Sequence, residues 1–349
     1  MIRIGVVGIG FMGFTHFEGA KKVKGGRVTA IATRNQKKLA GDWTSIQGNF
    51  GPRGGHVDTS KLKTYHDYRD LLADPDIDLV DLCLPTDLHE QVVLEAVAAG
   101  KHVLVEKPIA LDLQAANRMV RAAEKAGTLL MVAHVLPYFP EFRYVTETLA
   151  SQRYGKLLAA HFRRVIAPPK WSSEMSDYRR LGGWGIDLHI HDNHYISHLC
   201  GVPKRVVSRG LVQDGLVNHV HSQYAYEEAG PAVSCVSGGI AAASLPFAHG
   251  FEIYLEQATI LYSAGTIGTE WVADRPLTLA TNRGKPRQPK LPGGSEWCSA
   301  YTAELQDAVK AVRGGREAPI LSGTLARDAL KLSFAEAKSI STGRSVKVS

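Results

Sequence analysis

The sequence predicts an α/β protein with two domains. Residues 1–135 are expected to form a doubly wound parallel sheet, and residues 136–349 an α+β domain with an open, mostly antiparallel mixed sheet. Two observations support this division. Strand and helix patterns alternate up to about residue 133, which is typical of βαβ units. From about residue 205 to residue 279, short strands follow one another with almost no helix between them, which favours antiparallel pairing.

The chain opens with an apolar, β-branched run, Ile2–Val7, that predicts a buried parallel strand. The run leads into the glycine pattern GIGFMG at residues 8–13 and then a predicted helix over 14–24. In a dinucleotide site, Gly8 permits the tight turn, Gly10 lets the backbone approach a pyrophosphate, and Gly13 allows close packing of helix and strand. The helix N-terminus would then offer N–H groups and partial positive charge to the phosphates.

The second predicted strand, residues 27–33, ends where a dinucleotide site usually distinguishes NAD from NADP. An acidic residue there would bind the ribose 2′-hydroxyl of NAD. This chain has Thr33 followed by Arg34, a hydroxyl and a cation that suit a 2′-phosphate. The sequence therefore favours NADP over NAD. The alternative is that Arg34 lies over the adenine or in solvent.

The remainder of the first domain continues the alternation. Helices are predicted over 67–73, 88–99 and 112–126, and strands over 78–84, 101–105 and 128–133. Residues 44–62 are rich in glycine and predict a flexible loop. Because this loop follows the second helix, we expect it at the end of the sheet away from the cofactor, with Arg53 playing no part in phosphate binding.

The second domain begins with helix 141–149 and strand 156–166. A histidine-rich helix is predicted over 182–201, strands follow within 205–279, and two helices, 299–313 and 323–342, close the chain. No internal repeat is evident in the sequence.

Composition excludes several classes of protein. The chain has 349 residues and a net charge of +7, but its basic residues are scattered, which argues against nucleic-acid binding. Its four cysteines are far apart, as expected for free thiols in a reducing compartment. No apolar run reaches membrane-spanning length, and a core strand begins at residue 2, so we expect no signal peptide, no membrane contact and a cytoplasmic location.

Three residues suggest catalysis. Lys107 follows a predicted parallel strand at its carboxyl end, where open α/β sheets bind ligands, although a lysine there can also be a solvated partner of Glu106. Asp187 and His191 are four residues apart and would share one face of a helix, so the carboxylate could orient a histidine base. The alternative is a structural histidine packed against the preceding turn.

The same stretch contains three further histidines, His189, His194 and His198. His191, His194 and His198 have a spacing that could present metal ligands on one helix face. We expect no metal, because hydride transfer from a nicotinamide does not require one.

The sequence resembles the glucose–fructose oxidoreductase, inositol dehydrogenase and MocA-like (Gfo/Idh/MocA) family over nearly the whole chain. The resemblance is carried by the glycine pattern at 8–13, by CLPTDLH at 83–89, by AGKHVLVEKP at 99–108, and by GGWGID at 182–187 with His191. It implies an N-terminal Rossmann domain and a nicotinamide cofactor. Lys107, Asp187 and His191 match the family's catalytic residues. The chain departs from the family's usual residues at Pro137, His189 and His194, so the substrate is left open.

The resemblance also implies the remaining site residues and partners. A cis Lys107–Pro108 peptide bond is expected. The predicted cofactor-binding residues are Gly8, Gly10, Phe11, Met12, Gly13, Thr33, Arg34, Leu84, Pro85, Thr86, His89, Glu106 and Lys107. The implied substrate is a small sugar or polyol, and the implied assembly is a homodimer or homotetramer through the C-terminal sheet. Two rival functions remain open at this point: a redox-neutral hydrolase or lyase that retains its nicotinamide, and a non-catalytic cofactor-binding sensor.

Overall fold

A computed structural model describes residues 1–48, 50–168, 182–227, 230–294 and 296–348. It divides the chain into two compact units. The first unit consists of Met1–Phe139 and Gly293–Arg327, and the second of Pro140–Pro292 and Asp328–Ser349. The first unit therefore includes residues 293–327, a segment far from it in sequence.

The first unit contains a six-stranded parallel sheet with the order β3-β2-β1-β4-β5-β6, which confirms the predicted doubly wound sheet. Its strands are β1 (Ile2–Val7), β2 (Gly26–Ala32), β3 (Lys63–Tyr65), β4 (Leu79–Leu82), β5 (His102–Glu106) and β6 (Leu130–Ala133). The strand order reverses between β1 and β4. In an open sheet, this reversal creates a crevice at the carboxyl ends of the strands, where ligands bind.

Helices connect these strands. They are α1 (Phe11–Ala20), α2 (Gln36–Leu39), α3 (Tyr68–Ala73), α4 (His89–Ala98) and α5 (Leu113–Ala126). Local sequence sets the ends of α5: the Asp112 side chain accepts the Ala115 N–H at 2.8 Å, and Gly127 ends the helix at a φ of +68°. Short 3₁₀ turns at Thr86–Leu88 and Leu136–Tyr138 follow β4 and β6.

The loop that follows α2 does not lie where the sequence predicts. Trp43 is fully buried and its ring lies 4.8 Å from that of Phe17 on α1. Phe50 lies edge-on to Phe11, with 4.8 Å between the ring centroids. The expectation that residues 44–62 lie away from the cofactor end is therefore wrong, because aromatic packing draws the loop over α1 to the start of that helix. Arg53 is exposed.

The second unit contains an eight-stranded sheet with the order β13-β12-β11-β7-β10-β9-β8-β14. Its β7 and β10 pair parallel and its other neighbours antiparallel, so the predicted mixed sheet is confirmed. The strands are β7 (Leu157–Ile166), β8 (Arg205–Gln213), β9 (Leu216–Ala225), β10 (Ala232–Gly238), β11 (Phe247–Leu255), β12 (Ala258–Ile267), β13 (Glu270–Thr281) and β14 (Val346–Lys347).

Burial alternates along the central strand of this sheet. On β7, Phe162 and Arg164 are buried, whereas His161 and Arg163 are exposed. Side chains of a strand alternate between its two faces, so the sheet has one covered face and one open face.

Five further helices complete the described chain: α6 (Pro140–Ala150), α7 (Trp184–Asp187), α8 (Ile190–Cys200), α9 (Ser299–Gly314) and α10 (Gly323–Thr342), with a 3₁₀ turn at Pro319–Leu321 before α10. None of the helices in the described ranges has the length and apolar content needed to span a bilayer.

The single helix predicted over 182–201 is wrong: the structure has α7 and α8 with a break at residues 188–189. The Trp184 carbonyl accepts N–H groups from both Leu188 and His189, at 3.2 and 3.0 Å. The His191 N–H then bonds back only three residues, to the Leu188 carbonyl at 3.3 Å. This change of hydrogen-bond register interrupts the α-helix.

Candidate active site

The glycine turn after β1 has two glycines that the fold itself requires. Gly8 has a φ of +92°, and a Cβ added there would lie 2.5 Å from the Cys83 carbonyl oxygen. A Cβ on Gly13 would lie 2.0 Å from the Gly8 carbonyl oxygen. Both distances are far below a normal contact, so neither position accepts a side chain without moving backbone.

Gly10 differs from these two glycines. A Cβ on Gly10 would meet no protein atom within 4 Å, and its φ of −97° is open to any residue. Gly10 is also the N-cap of α1, and no side chain caps that helix end. The fold therefore leaves open space beside an uncapped helix N-terminus, the arrangement that binds a dinucleotide pyrophosphate. Phe11 and Met12 form the first turn behind it.

A lysine outside the glycine pattern supports this turn. Lys38 on α2 donates from Nζ to the carbonyl oxygen of Ile9 at 2.6 Å. Just before α2, the Asn35 side chain caps that helix by accepting the Lys38 N–H at 3.2 Å, and Thr33 Oγ1 accepts the Asn35 N–H at 3.4 Å. Arg34 is exposed beside them. Thr33 and Arg34 thus lie at the carboxyl end of β2, as predicted.

The segment after β4 contacts both the glycine turn and the Lys107 segment. A Cβ on Gly8 would lie 2.9 Å from Leu84 Cδ2, so Leu84 packs against the turn. His89 is fully buried, with Nδ1 2.9 Å from the Pro108 carbonyl oxygen and Nε2 2.8 Å from that of Leu84. His89 therefore holds the two segments together. Pro85 is exposed and Thr86 is buried.

Lys107 lies directly after β5, at the carboxyl end of the parallel sheet. Its side chain is half-buried, and the Lys107–Pro108 peptide bond is cis. Its backbone N–H donates to Glu106 Oε2 at 3.0 Å. The Glu106 side chain is buried, and its other oxygen lies 3.2 Å from His16 Nε2. His16, which belongs to no local sequence pattern, therefore lies behind the predicted catalytic lysine.

In the second unit, Asp187 is the last residue of α7 and His191 lies in the first turn of α8. Two glycines bring α7 against β9: a Cβ on Gly183 would lie 2.9 Å from Leu216 Cβ, and one on Gly185 would lie 2.8 Å from Val217 Cβ. Asp187 is buried and His191 is half-buried. The two residues are therefore joined by the interrupted turn described above, not by a regular i, i+4 helix face.

Buried ion pairs anchor α8 from both sides. Arg164 of β7 donates from Nε and Nη2 to the Asp192 carboxylate at 3.0–3.1 Å. On the opposite side, His189 Nε2 lies 3.0 Å from Glu336 Oε1 on α10. Asn193 donates to the other Glu336 oxygen at 2.6 Å. Sequence reasoning identified neither Arg164 nor Glu336, because each lies far along the chain from its partner.

The structure also bears on the metal alternative. Among the described residues, the side-chain groups compact enough to hold an ion are His16 with Asp81 and Cys83, and His189 with Asp192 and Cys235. The set His191, His194 and His198 is not one of them. His194 is fully buried, and burial lowers the pKa of His198. The expectation of no metal stays a prediction.

Comparison with known proteins gives a family match for the first part of the chain. Residues 2–134 match the model of the Gfo/Idh/MocA oxidoreductases, described as an oxidoreductase family with an NAD-binding Rossmann fold. The chain is 27% identical over 352 residues to a myo-inositol 2-dehydrogenase of Thermotoga maritima, covering 99% of this chain and 98% of the relative. It is 25% identical to a 1,5-anhydro-D-fructose reductase of Ensifer adhaerens, over 100% and 99% of the two chains. A crystal structure of a probable dehydrogenase from Thermotoga maritima has a TM-score of 0.75 at 25% identity, covering 99% of both chains.

Proposed function

Because residues 2–134 match the model of the Gfo/Idh/MocA oxidoreductases, we propose that this chain is a member of that family and transfers hydride between NAD or NADP and a CH–OH group of a sugar, polyol or sugar derivative. The observation that carries this proposal is the open space at Gly10, beside two glycines that the fold requires. The turn itself does not require glycine at this position, because its φ of −97° and the space around it would accept a side chain.

The residues present fit a dinucleotide. Gly8 and Gly13 shape the turn, and the uncapped N-terminus of α1 offers N–H groups to phosphate oxygens. Lys38 stabilises the turn by donating a hydrogen bond to the Ile9 carbonyl oxygen. When bound, the nicotinamide would supply the hydride acceptor or donor. All other functions fall to the chain's own side chains.

We assign three of these side chains to the substrate. His191 accepts the hydroxyl proton, since an imidazole titrates near neutral pH. Asp187 orients that imidazole. Lys107 holds the substrate oxygen and stabilises the negative charge that develops on it. Each is a proposal that follows from residue chemistry and from the family's motifs.

NADP is the proposed preference, because the exposed Arg34 lies next to Thr33 at the end of β2 and no acidic residue takes that place. Fluorescence titration of the protein with NAD and with NADP tests it. NAD binding about tenfold tighter than NADP binding, a difference of about 1.4 kcal/mol, would contradict the assignment. The Arg34→Ala variant is the matched check, and it should weaken NADP binding alone.

The test of the reaction is net production of reduced cofactor. The protein is incubated with NAD or NADP and a panel of polyols that begins with myo-inositol, and reduced nicotinamide is followed by absorbance. Accumulation of reduced cofactor in step with product supports the dehydrogenase. Product formation at constant bulk cofactor would instead show the redox-neutral reaction, and cofactor binding without product would show a sensor.

We further propose that copies of this chain associate through the open face of the second unit's sheet, as a homodimer or homotetramer. Val207 and Leu211 on β8 alternate with the buried Val206 and Ser208, so they lie on the open face, where they are 40% and 56% exposed. Light scattering measures the mass in solution, and a monomer would contradict the proposal.

All four cysteines are free thiols, which supports the proposed cytoplasmic location.

A further inference from the structure

His16 lies on α1, one turn after the glycine turn, and is completely buried. Ionisable groups from three other elements face it. They are Asp81 and Cys83 at the end of β4, Glu106 at the end of β5, and Tyr301 and Glu304 on α9. A histidine with three carboxyl groups around it in a dry interior requires a physical account, because buried polar groups are costly unless they are paired.

The two nitrogens of His16 are directed at different acids. Nδ1 is hydrogen-bonded to Asp81, at 2.9 and 3.1 Å from its two oxygens. Nε2 lies 3.2 Å from Glu106 Oε1, an ion-pair contact without hydrogen-bond geometry. A neutral imidazole would bind only Asp81 through its single N–H, whereas an imidazolium also attracts the Glu106 carboxylate through its charge. Burial disfavours the charged ring, yet the Asp81 carboxylate raises the pKa of His16 well above its ordinary value.

Glu304 does not compete for that charge. Neither of its carboxyl oxygens has a hydrogen-bond partner among the described residues, and its nearer oxygen is 4.0 Å from His16 Nε2. Burial raises the pKa of Glu304 well above its ordinary value, which disfavours a charged Glu304 beside His16. The Nε2 side of His16 is therefore left to Glu106.

Glu106 in turn connects His16 to Lys107. One oxygen of its carboxylate lies beside His16 Nε2, and the other accepts the Lys107 backbone N–H at 3.0 Å. This carboxylate consequently cannot rotate without disturbing both contacts. We propose that His16 is a positioning residue for Lys107: its imidazolium fixes the Glu106 carboxylate, which fixes the backbone that presents the lysine. The inference rests on the proposed function, in which Lys107 holds the substrate oxygen.

A first experiment requires no substrate. In the His16→Gln variant, glutamine retains polarity but carries no charge, so Glu106 loses its ionic partner. The amine-labelling rate of Lys107 with trinitrobenzenesulfonate, followed by peptide mass spectrometry, is expected to change by about threefold or more. Lys125, exposed on α5, is the internal reference, and His102→Gln at the opposite end of β5 is the matched control. An unchanged Lys107 rate in a folded His16→Gln protein overturns the inference.

A second experiment uses turnover with the polyol that the panel identifies. His16→Gln should lower kcat by about tenfold or more with little change in KM or dinucleotide affinity, but should cost nothing further in a Lys107→Met background. An equal loss in both backgrounds indicates a structural role and overturns the inference. Full turnover in Lys107→Met alone contradicts the proposed function instead.

If His16→Gln does not fold, Glu106→Gln replaces it, because that variant breaks the same connection and leaves the His16–Asp81 pair intact.

A bound ion is the competing explanation for the cluster. Burial raises the pKa of the Cys83 thiol to about 12, which disfavours the thiolate that an ion would need. Metal analysis of the purified protein decides: stoichiometric zinc removed by a chelator, with loss of Lys107 reactivity, overturns the inference.

Discussion

An alcohol can lose hydride only as its hydroxyl proton leaves, so the proposed reaction depends on one base. His191 in the first turn of α8 is the candidate. General acid–base catalysis contributes about 10²–10⁴-fold, so His191→Ala should lose that much turnover, about 3–5 kcal/mol of transition-state stabilisation. Dinucleotide affinity should barely change. The assay is reduced-cofactor production, with His198→Ala on the same helix as control. A similar loss in the control would contradict the assignment.

Individual residues also show how far sequence reasoning reaches. Lys107 and the glycines of the turn were identified because each belongs to a local pattern at the end of a strand. His16, Lys38 and Arg164 were not, because their partners are 65, 29 and 28 residues away. No short-range pattern reports pairs that only the completed fold brings together.

The glycine turn is the element on which cofactor binding depends, and Gly10 offers a test that separates binding from folding. Since a Cβ on Gly10 meets no atom within 4 Å, Gly10→Ala should change the free energy of unfolding by no more than about 0.5 kcal/mol. The added methyl group would occupy the space proposed for the pyrophosphate. Dinucleotide affinity should therefore fall by about tenfold or more.

Urea unfolding and fluorescence titration measure the two quantities. Gly13→Ala is the contrasting variant, because its Cβ would lie 2.0 Å from the Gly8 carbonyl oxygen and should destabilise the first unit. Gly10→Ala with unaltered NAD and NADP binding would show that the open space has another purpose.

The junction between α7 and α8 shows where element-level prediction fails. The pattern from residue 182 to residue 201 contains no proline, and nothing in it marks the break at 188–189. The break comes from the shared Trp184 carbonyl, and from Gly183 and Gly185, which draw α7 against β9. These are packing effects from a strand more than 25 residues later in the chain, so the helical periodicity alone could not reveal them.

The buried pair between His189, the residue before α8, and Glu336 on α10 predicts a pH dependence of stability. Burial opposes ionisation of both groups, but Glu336 raises the pKa of His189 above 6.5 and His189 lowers the pKa of Glu336 below 4.5. Asp192, Arg164, Tyr224 and Cys235 are the other ionisable groups nearby. The contribution of His189 is complete below pH 6.5 and is lost as the pH rises through its folded pKa. That of Glu336 is complete above pH 4.5 and is lost as the pH falls through its folded pKa.

The pair should thus stabilise the second unit most between these two values. Glu336→Gln should reduce the free energy of unfolding by about 3–5 kcal/mol at about pH 5.5, and by less at about pH 9. Urea unfolding at both pH values is the measurement. Lys338→Gln, an exchange on the same helix, is the control. A loss of equal size at both pH values would mean that packing, not charge, accounts for it.

At the scale of the molecule, the chain leaves the first unit after Phe139 and returns to it at Gly293. The alternation of strands and helices ends near residue 133, so the sequence indicates where the parallel sheet stops but not that α9 joins it. The partner of α9 is α1, almost 290 residues earlier, and the apolar face of a helix does not specify which core it enters. The helix itself was predictable, whereas its place in the fold was not.

This return predicts that residues 1–139 are insufficient for a stable dinucleotide-binding unit. Leu305, Ala308 and Val309 of α9 are completely buried in the same core as α1. Leu305 and Val309 alone should contribute about 1.5–3 kcal/mol each, a large part of the 5–15 kcal/mol that typically stabilises a domain. A fragment of residues 1–139 should therefore lack cooperative unfolding and bind NAD and NADP poorly. The same fragment joined to residues 293–327 by a glycine-serine linker should recover both properties, because the linker restores the buried side chains of α9 to this core. Circular dichroism and fluorescence titration compare the two fragments, and equal binding by both would show that the parallel sheet is stable without α9.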